Sequence, residues 1–163
     1  MSKLAFEHYN ADIISSNTHR INALHLSIVF IYDLVLSSIC ILPNLLRLER
    51  LVLDKIESKY LTKILDQLFG LLLLFSLIIT YNEYVENKTT IYRQILHLPA
   101  LKYCHLSLGG EWSDNQLLPI ATNEYNTIEN LIINDSINIE QFCSVLSYIL
   151  QLRRLSVHSL TEF

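Results

Sequence analysis

Glycine is nearly absent from this chain. Gly70, Gly109 and Gly110 are the three among 163 residues, too few and wrongly placed for a loop that cradles phosphate. Proline is equally scarce, and Pro43, Pro99 and Pro119 serve to punctuate the segments between them. The three cysteines, Cys40, Cys104 and Cys143, are odd in number, far apart and without a CxxC pair. That excludes a disulfide framework and a zinc-finger spacing. They read as small buried hydrophobes in a reducing compartment. Charged residues make up only 17%, with 12 Lys+Arg against 16 Asp+Glu and a formal net charge of −4. No basic run is present, so no nucleic-acid partner is expected. HExxH, GxSxG, GxGxxG and P-loop signatures are missing. The acidic pair Glu83/Glu86 reads as a solvated loop. No catalytic, cofactor or metal site is therefore expected, and the chain reads as a non-enzyme.

Apolar residues are what the chain has most of: 51% is hydrophobic, too much for a disordered segment. They are arranged with a period. Ile21–Leu24–Leu26, Leu48–Leu51–Leu53, Leu74–Leu77–Ile79, Leu101–Cys104–Leu106, Ile128–Leu131–Ile133 and Leu152–Leu155–Val157 follow one template: apolar, two variable, apolar, one variable, apolar. Successive triplets start 27, 26, 27, 27 and 24 residues apart. One such triplet means little in so apolar a chain, but six in phase indicate a repeat architecture. Within each triplet the period is 2, that of a strand. Between triplets it moves toward 3.6, that of a helix.

Ser58 is placed to cap a helix whose apolar face is Leu61, Ile64, Leu65 and Leu68, closed by Gly70. Asn87 or Thr89 caps a second, carrying Ile91, Ile95 and Leu98 up to Pro99. Asn138 with Gln141 three residues on resembles a capping box, before an apolar face of Phe142, Val145, Leu146 and Ile149. A further helix is expected over 34–42. The stretch 109–127, with Gly109-Gly110, Trp112 and Pro119, is expected to be a long irregular connection.

These triplets resemble the leucine-rich repeat superfamily, and they cover residues 21–157. Repeats of about 26 residues with true helices are similar to its ribonuclease-inhibitor-like and F-box-associated classes. The family's consensus asparagine position holds Val29, Ile56, Asn82, Gly109, Ser136 and Leu160, so only Asn82 matches. The resemblance implies an α/β solenoid, a horseshoe arc with about six parallel strands on its concave side and helices or irregular segments on its convex side. Residues 1–20 would be a lead-in and incomplete cap, and 21–163 the repeat domain. It also implies a scaffold for protein–protein recognition, including the substrate-binding part of an F-box-type ubiquitin ligase receptor. No F-box is present in this chain.

Strand side chains alternate between faces, so the residues flanking each template position form three rows on the inner face. The first is Ala23, Arg50, Ser76, Tyr103, Asn130, Arg154. The second is His25, Val52, Ile78, His105, Ile132, Ser156. The third is Ser27, Asp54, Thr80, Ser107, Asn134, His158. Arg50, Val52, Asp54, Ile78, Tyr103, His105, Ile132, Arg154 and His158 are the candidate partner-binding residues among them, since aromatic and Arg side chains are enriched at binding hot spots. The partner is expected to be a protein. The alternative is a small membrane-anchored protein using the apolar stretch 26–42, which Asp33 and a length of 17 residues make a poor span. No secretory leader is read at the N-terminus, and a cytoplasmic location is expected.

Overall fold

The computed structural model describes residues 13–27, 42–56, 58–81, 85, 87–109, 117–121 and 126–161. All six triplets become strands: β1 (Ala23–Ser27), β2 (Arg50–Asp54), β3 (Ser76–Thr80), β4 (Tyr103–Ser107), β5 (Asn130–Asn138) and β6 (Arg154–Thr161). They form one sheet in sequential order, every neighbouring pair parallel. Between strands lie a 3-10 turn (Leu42–Asn44) and the helices α1 (Ser58–Leu68), α2 (Lys88–Leu96) and α3 (Ile139–Ser147). The protein is thus α/β, with a single parallel sheet.

The second and third template residues occupy successive inward positions of each strand. Leu51, Leu53, Leu77 and Ile79 are fully buried, as are Cys104, Leu106, Leu131 and Ile133. They form one core with Leu61, Ile64, Leu65 and Leu68 of α1 and Ile91, Tyr92 and Ile95 of α2. A parallel strand buried on one face and a helix with one apolar stripe each need the other to hide that surface. The backbone supplies the register. The carbonyl of Asn22 accepts from the N–H groups of both Glu49 and Arg50, at 2.8 and 3.0 Å. Glu49 does the same for Phe75 and Ser76, Phe75 for Lys102 and Tyr103, Lys102 for Glu129 and Asn130, and Glu129 for Arg153 and Arg154. One carbonyl per unit thus satisfies two donors of the next, and this pins each strand start against its neighbour.

Several local expectations are corrected. α1 begins at Ser58 itself and ends at Leu68. Gly70 follows with no positive φ and open space around a would-be Cβ, so it is not the left-handed cap of a helix end. Asn87 does precede α2, but in the left-handed conformation (φ 59°) and without a side-chain cap; its carbonyl accepts from Thr90 and Ile91 instead. Leu98 is buried but lies past the helix end, held by a bond from its N–H to Ile95. The expected face of α3 is kept in part: Val145 and, just past the helix, Ile149 are buried, Phe142 and Leu146 are half-buried, and Gln141 and Ser144 are buried beside them. Cys143 is exposed, while Cys104 is buried. The predicted helix over 34–42 meets the described residues only at Leu42. Cys40, Asn82, the Glu83/Glu86 pair and Trp112 lie outside them.

Of the connection 109–127, residues 117–121 and 126–127 carry no helix. They are tied to α3 by polar bonds: Leu118 N–H to Gln141 Oε1 (3.3 Å), Ala121 N–H to Ser147 Oγ (2.9 Å) and Tyr148 O–H to the Pro119 carbonyl (2.9 Å). Asn126 N–H donates to Tyr148, and its Oδ1 accepts from Ile128 N–H, which hands the chain on to β5.

Candidate functional site

The face of the sheet turned away from the core carries the rows read from the sequence. Ala23, Arg50, Ser76, Tyr103, Asn130 and Arg154 stand side by side, one per strand, and so do His25, Val52, Ile78, His105, Ile132 and Ser156. Val52, Ile78, His105 and Ile132 form a half-buried central strip, with Arg50, Arg154 and His158 exposed around it. His25 and His105 are separated by Val52 and Ile78, so the histidines do not form a cluster.

The third row departs from the expected pattern. Ser27, Asp54, Thr80 and Ser107 are in register. Beyond them the β5–β6 ladder slips between Ile133 and Ser136, so His158 faces the pair Asn134–Asp135 instead of one residue. β5 has nine residues where β4 has five, and the extra length is accommodated as a bulge. Two row members are tied to neighbours. Thr80 Oγ1 donates to Asp54 Oδ1 at 2.9 Å, and Asn134 Nδ2 lies 2.9 Å from His105 Nε2. Arg50, Tyr103 and Arg154 make no side-chain hydrogen bond or ion pair among the described residues.

At the N-terminal ends of the strands a rim of charge follows the first row. Glu129 lies 3.7 Å from Lys102 and 3.3 Å from Arg153, both largely exposed. Such pairs add little stability, but they hold Glu129 beside the face. A cavity of about 470 Å³ opens at this end over β1–β4, lined by Asn22, Ala23, Glu49, Arg50, Phe75, Ser76 and Tyr103.

β5 has a second feature that sequence reasoning missed. Asp135 is turned inward and only 6% exposed. Its carboxylate accepts from Leu108 N–H at 2.8 and 3.0 Å and from Gly109 N–H at 2.9 Å, and Lys88 Nζ lies 3.8 Å away. Burial pulls the Lys88 ammonium below its ordinary pKa, with Asp135 opposing that shift. Asp135 thereby anchors the chain where it leaves β4. The signal was there to find: 131, 133, 135 and 137 share one parity, so strict alternation puts an acid in the core.

Among the described residues no three His, Cys, Asp or Glu side chains are grouped to hold a metal ion. Among them, too, no helix is long and apolar enough to cross a membrane; most of the apolar stretch 26–42 lies outside the described residues. What the geometry offers is an open sheet face with unpaired Arg and Tyr side chains around an aliphatic strip. The chain matches no family model, no curated protein and no solved structure.

Proposed function

We propose that this chain is a leucine-rich repeat solenoid that recognises a protein partner on the concave face of its sheet, without catalysis. The period of the triplets, the sequential parallel strands and the helices gathered with the inward residues into one core all fit that architecture. One observation carries the functional reading. Arg50, Tyr103 and Arg154 stand in one register row, beside the half-buried strip of Val52, Ile78, His105 and Ile132, and no other side chain bonds the three. Arg and Tyr beside a half-buried, mostly aliphatic strip fit the composition of an interaction hot spot. As the substrate-binding part of an F-box-type ubiquitin ligase receptor, the chain would use the same face.

The test is an interaction screen with the wild type and with a Tyr103→Ala, Arg154→Ala double variant whose circular dichroism is unchanged. Loss of the specific partners by the variant is the expected result. Partners kept at undiminished affinity would remove this face from the proposal and direct attention to the 109–127 connection.

A further inference from the structure

Several exposed apolar residues gather on one edge of the sheet. The turns that lead into β2 and β3 are built alike: the Leu45 and Leu48 N–H groups donate to the Leu42 and Leu45 carbonyls, and those of Leu71 and Leu74 to Leu68 and Leu71. Leu46 and Leu72 therefore stand in equivalent places, at 66% and 70% exposure. One residue before the first template position, Arg20 and Arg47 of the first two units give way to Leu73 in the third. One residue after it, Glu49, Lys102, Glu129 and Arg153 of other units give way to Phe75. Leu73 is 51% exposed, and Phe75 and Phe69 of the same turn are exposed as well. No charged residue occurs between Asp66 and Glu83. Neighbouring units keep these positions largely polar, so the large apolar side chains of the third unit mark a contact surface.

Around them the edge is positive. Parallel pairing brings the N-terminal ends of all six strands to one side of the sheet. The residues one before, one after and two after the first template position of each unit make up that edge. Arg20, Arg47, Arg50, Lys102, Arg153 and Arg154 are the cations among them, all exposed, and Glu49 and Glu129 are the anions. Six cations against two anions give the edge a net charge of +4, in a chain whose formal net charge is −4. Glu129 is engaged by Lys102 and Arg153. Arg20, Arg47, Arg50 and Arg154 have no ionic partner among the described residues.

This combination selects its occupant. A second copy meeting edge to edge would bring like charges together. Leu46, Leu72 and Leu73 protrude from turns, so a rigid partner would need a pocket for each. A lipid interface deforms around such side chains and takes them to a depth of about 5–10 Å. Strands about 4.8 Å apart spread the cations along an edge of roughly 24 Å, which suits a plane of anionic headgroups better than a point ligand.

We propose that the N-terminal edge of the sheet docks on an anionic phospholipid surface. Leu46, Leu72, Leu73 and Phe75 enter the interface, and the edge arginines meet headgroup phosphates. The contact is made from one side, without a span, and adds a second surface to the concave face.

The test is flotation of the full chain with vesicles of phosphatidylcholine alone, or with about one-third phosphatidylserine. The chain is expected to float with the mixed vesicles and at least about tenfold more weakly with the neutral ones. Salt at about 1 M, where the Debye length is about 3 Å, should erase that difference. Leu72→Gln, Leu73→Gln together should weaken binding at least about tenfold, with unchanged circular dichroism because both side chains are exposed. Arg47→Gln, Arg153→Gln, both outside the concave rows, should weaken binding to the mixed vesicles by a similar factor. Leu160→Gln, as exposed as Leu73 but at the C-terminal end of β6, should float as wild type. No flotation with the mixed vesicles overturns the proposal, as does equal binding to the neutral ones. Undiminished binding by either double variant, or an equal loss in Leu160→Gln, overturns it too. An acidic amphipathic peptide bound in place of vesicles, and lost by the Leu72/Leu73 variant, overturns the lipid surface and makes the edge a protein contact. These variants leave Tyr103 and Arg154 intact, so the partner screen decides the concave face separately.

Discussion

Cys104 occupies a position that the other five units give to leucine, and its burial determines a property that can be measured. It has no exposed surface, and burial pushes its thiol well above the ordinary value of 9.0. The folded protein therefore keeps the proton that the unfolded chain releases above pH 9.0. Fewer protons on the unfolded state mean stability falls as pH rises from there, by about 1.4 kcal/mol per pH unit for one group. Tyr92, also fully buried and raised chiefly by desolvation and then by the Asp135 charge, adds a second loss above its ordinary 10.0. Lys88, lowered by burial, works the other way below its ordinary 10.5. Because Lys88 opposes Cys104 between pH 9 and 10, the thiol is read from a difference: in denaturant melts the wild type should lose stability relative to Cys104→Val as pH rises through that window. An equal slope in both proteins would show that the thiol is not the titrating group. At Asp135 the expectation is a loss of about 3–5 kcal/mol for Asp135→Ala, because the Leu108 and Gly109 N–H groups lose their acceptor and Lys88 loses the Asp135 charge. Lys88→Met, Asp135→Leu together should cost less than Asp135→Ala alone, which a double-mutant cycle by urea unfolding can check.

At the scale of the element, capping and length decide more than propensity. α3 starts where Asn138 Oδ1 accepts from Gln141 N–H at 2.8 Å, the bond expected of Asn at a helix start. Gln141 is itself fully buried and its side chain accepts from Leu118 across the connection. Asn138→Ala should therefore cost about 0.5–2 kcal/mol, read as a shift in the melting midpoint, and Asn138→Ser much less. β5 illustrates the effect of length. Its first four residues follow the template, and its continuation through Asn134 and Asp135 makes it a clamp on the start of the connection that leaves β4.

For the whole molecule, burial is greatest in the middle of the sheet and falls toward both edges. Leu51, Leu77 and Leu131 are at most 1% exposed, whereas Leu155, the equivalent residue of β6, is 42% exposed and Leu160 is 51% exposed. Leu77→Ala and Leu131→Ala should each cost about 2–5 kcal/mol. Leu155→Ala should cost a fraction of that, because little of its surface leaves water. Hydrogen exchange should show the same gradient, slow in β3 and β4 and faster in β6. Uniform protection across the sheet, or equal costs for Leu131→Ala and Leu155→Ala, would contradict it.

The triplets determined the strands, their parallel register and the two rows of the open face, because a period of 2 inside each triplet and a near-constant spacing between them leave one way to align the units. The same logic identified the inward stripe of α1 and the cap of α3. What the tertiary structure decided lies between units. Asp135 with Leu108, Gln141 with Leu118, Ser147 with Ala121, Thr80 with Asp54 and Asn134 with His105 are bonds between residues 23 to 29 apart, about one unit. No local pattern encodes such a pair, since each member satisfies its own period or breaks it harmlessly. The burial of Gln141 and Ser144 in α3 and the exposure of Cys143 follow from the same cause. They depend on which neighbour a residue meets once the units are stacked, and stacking is a property of the sheet as a whole.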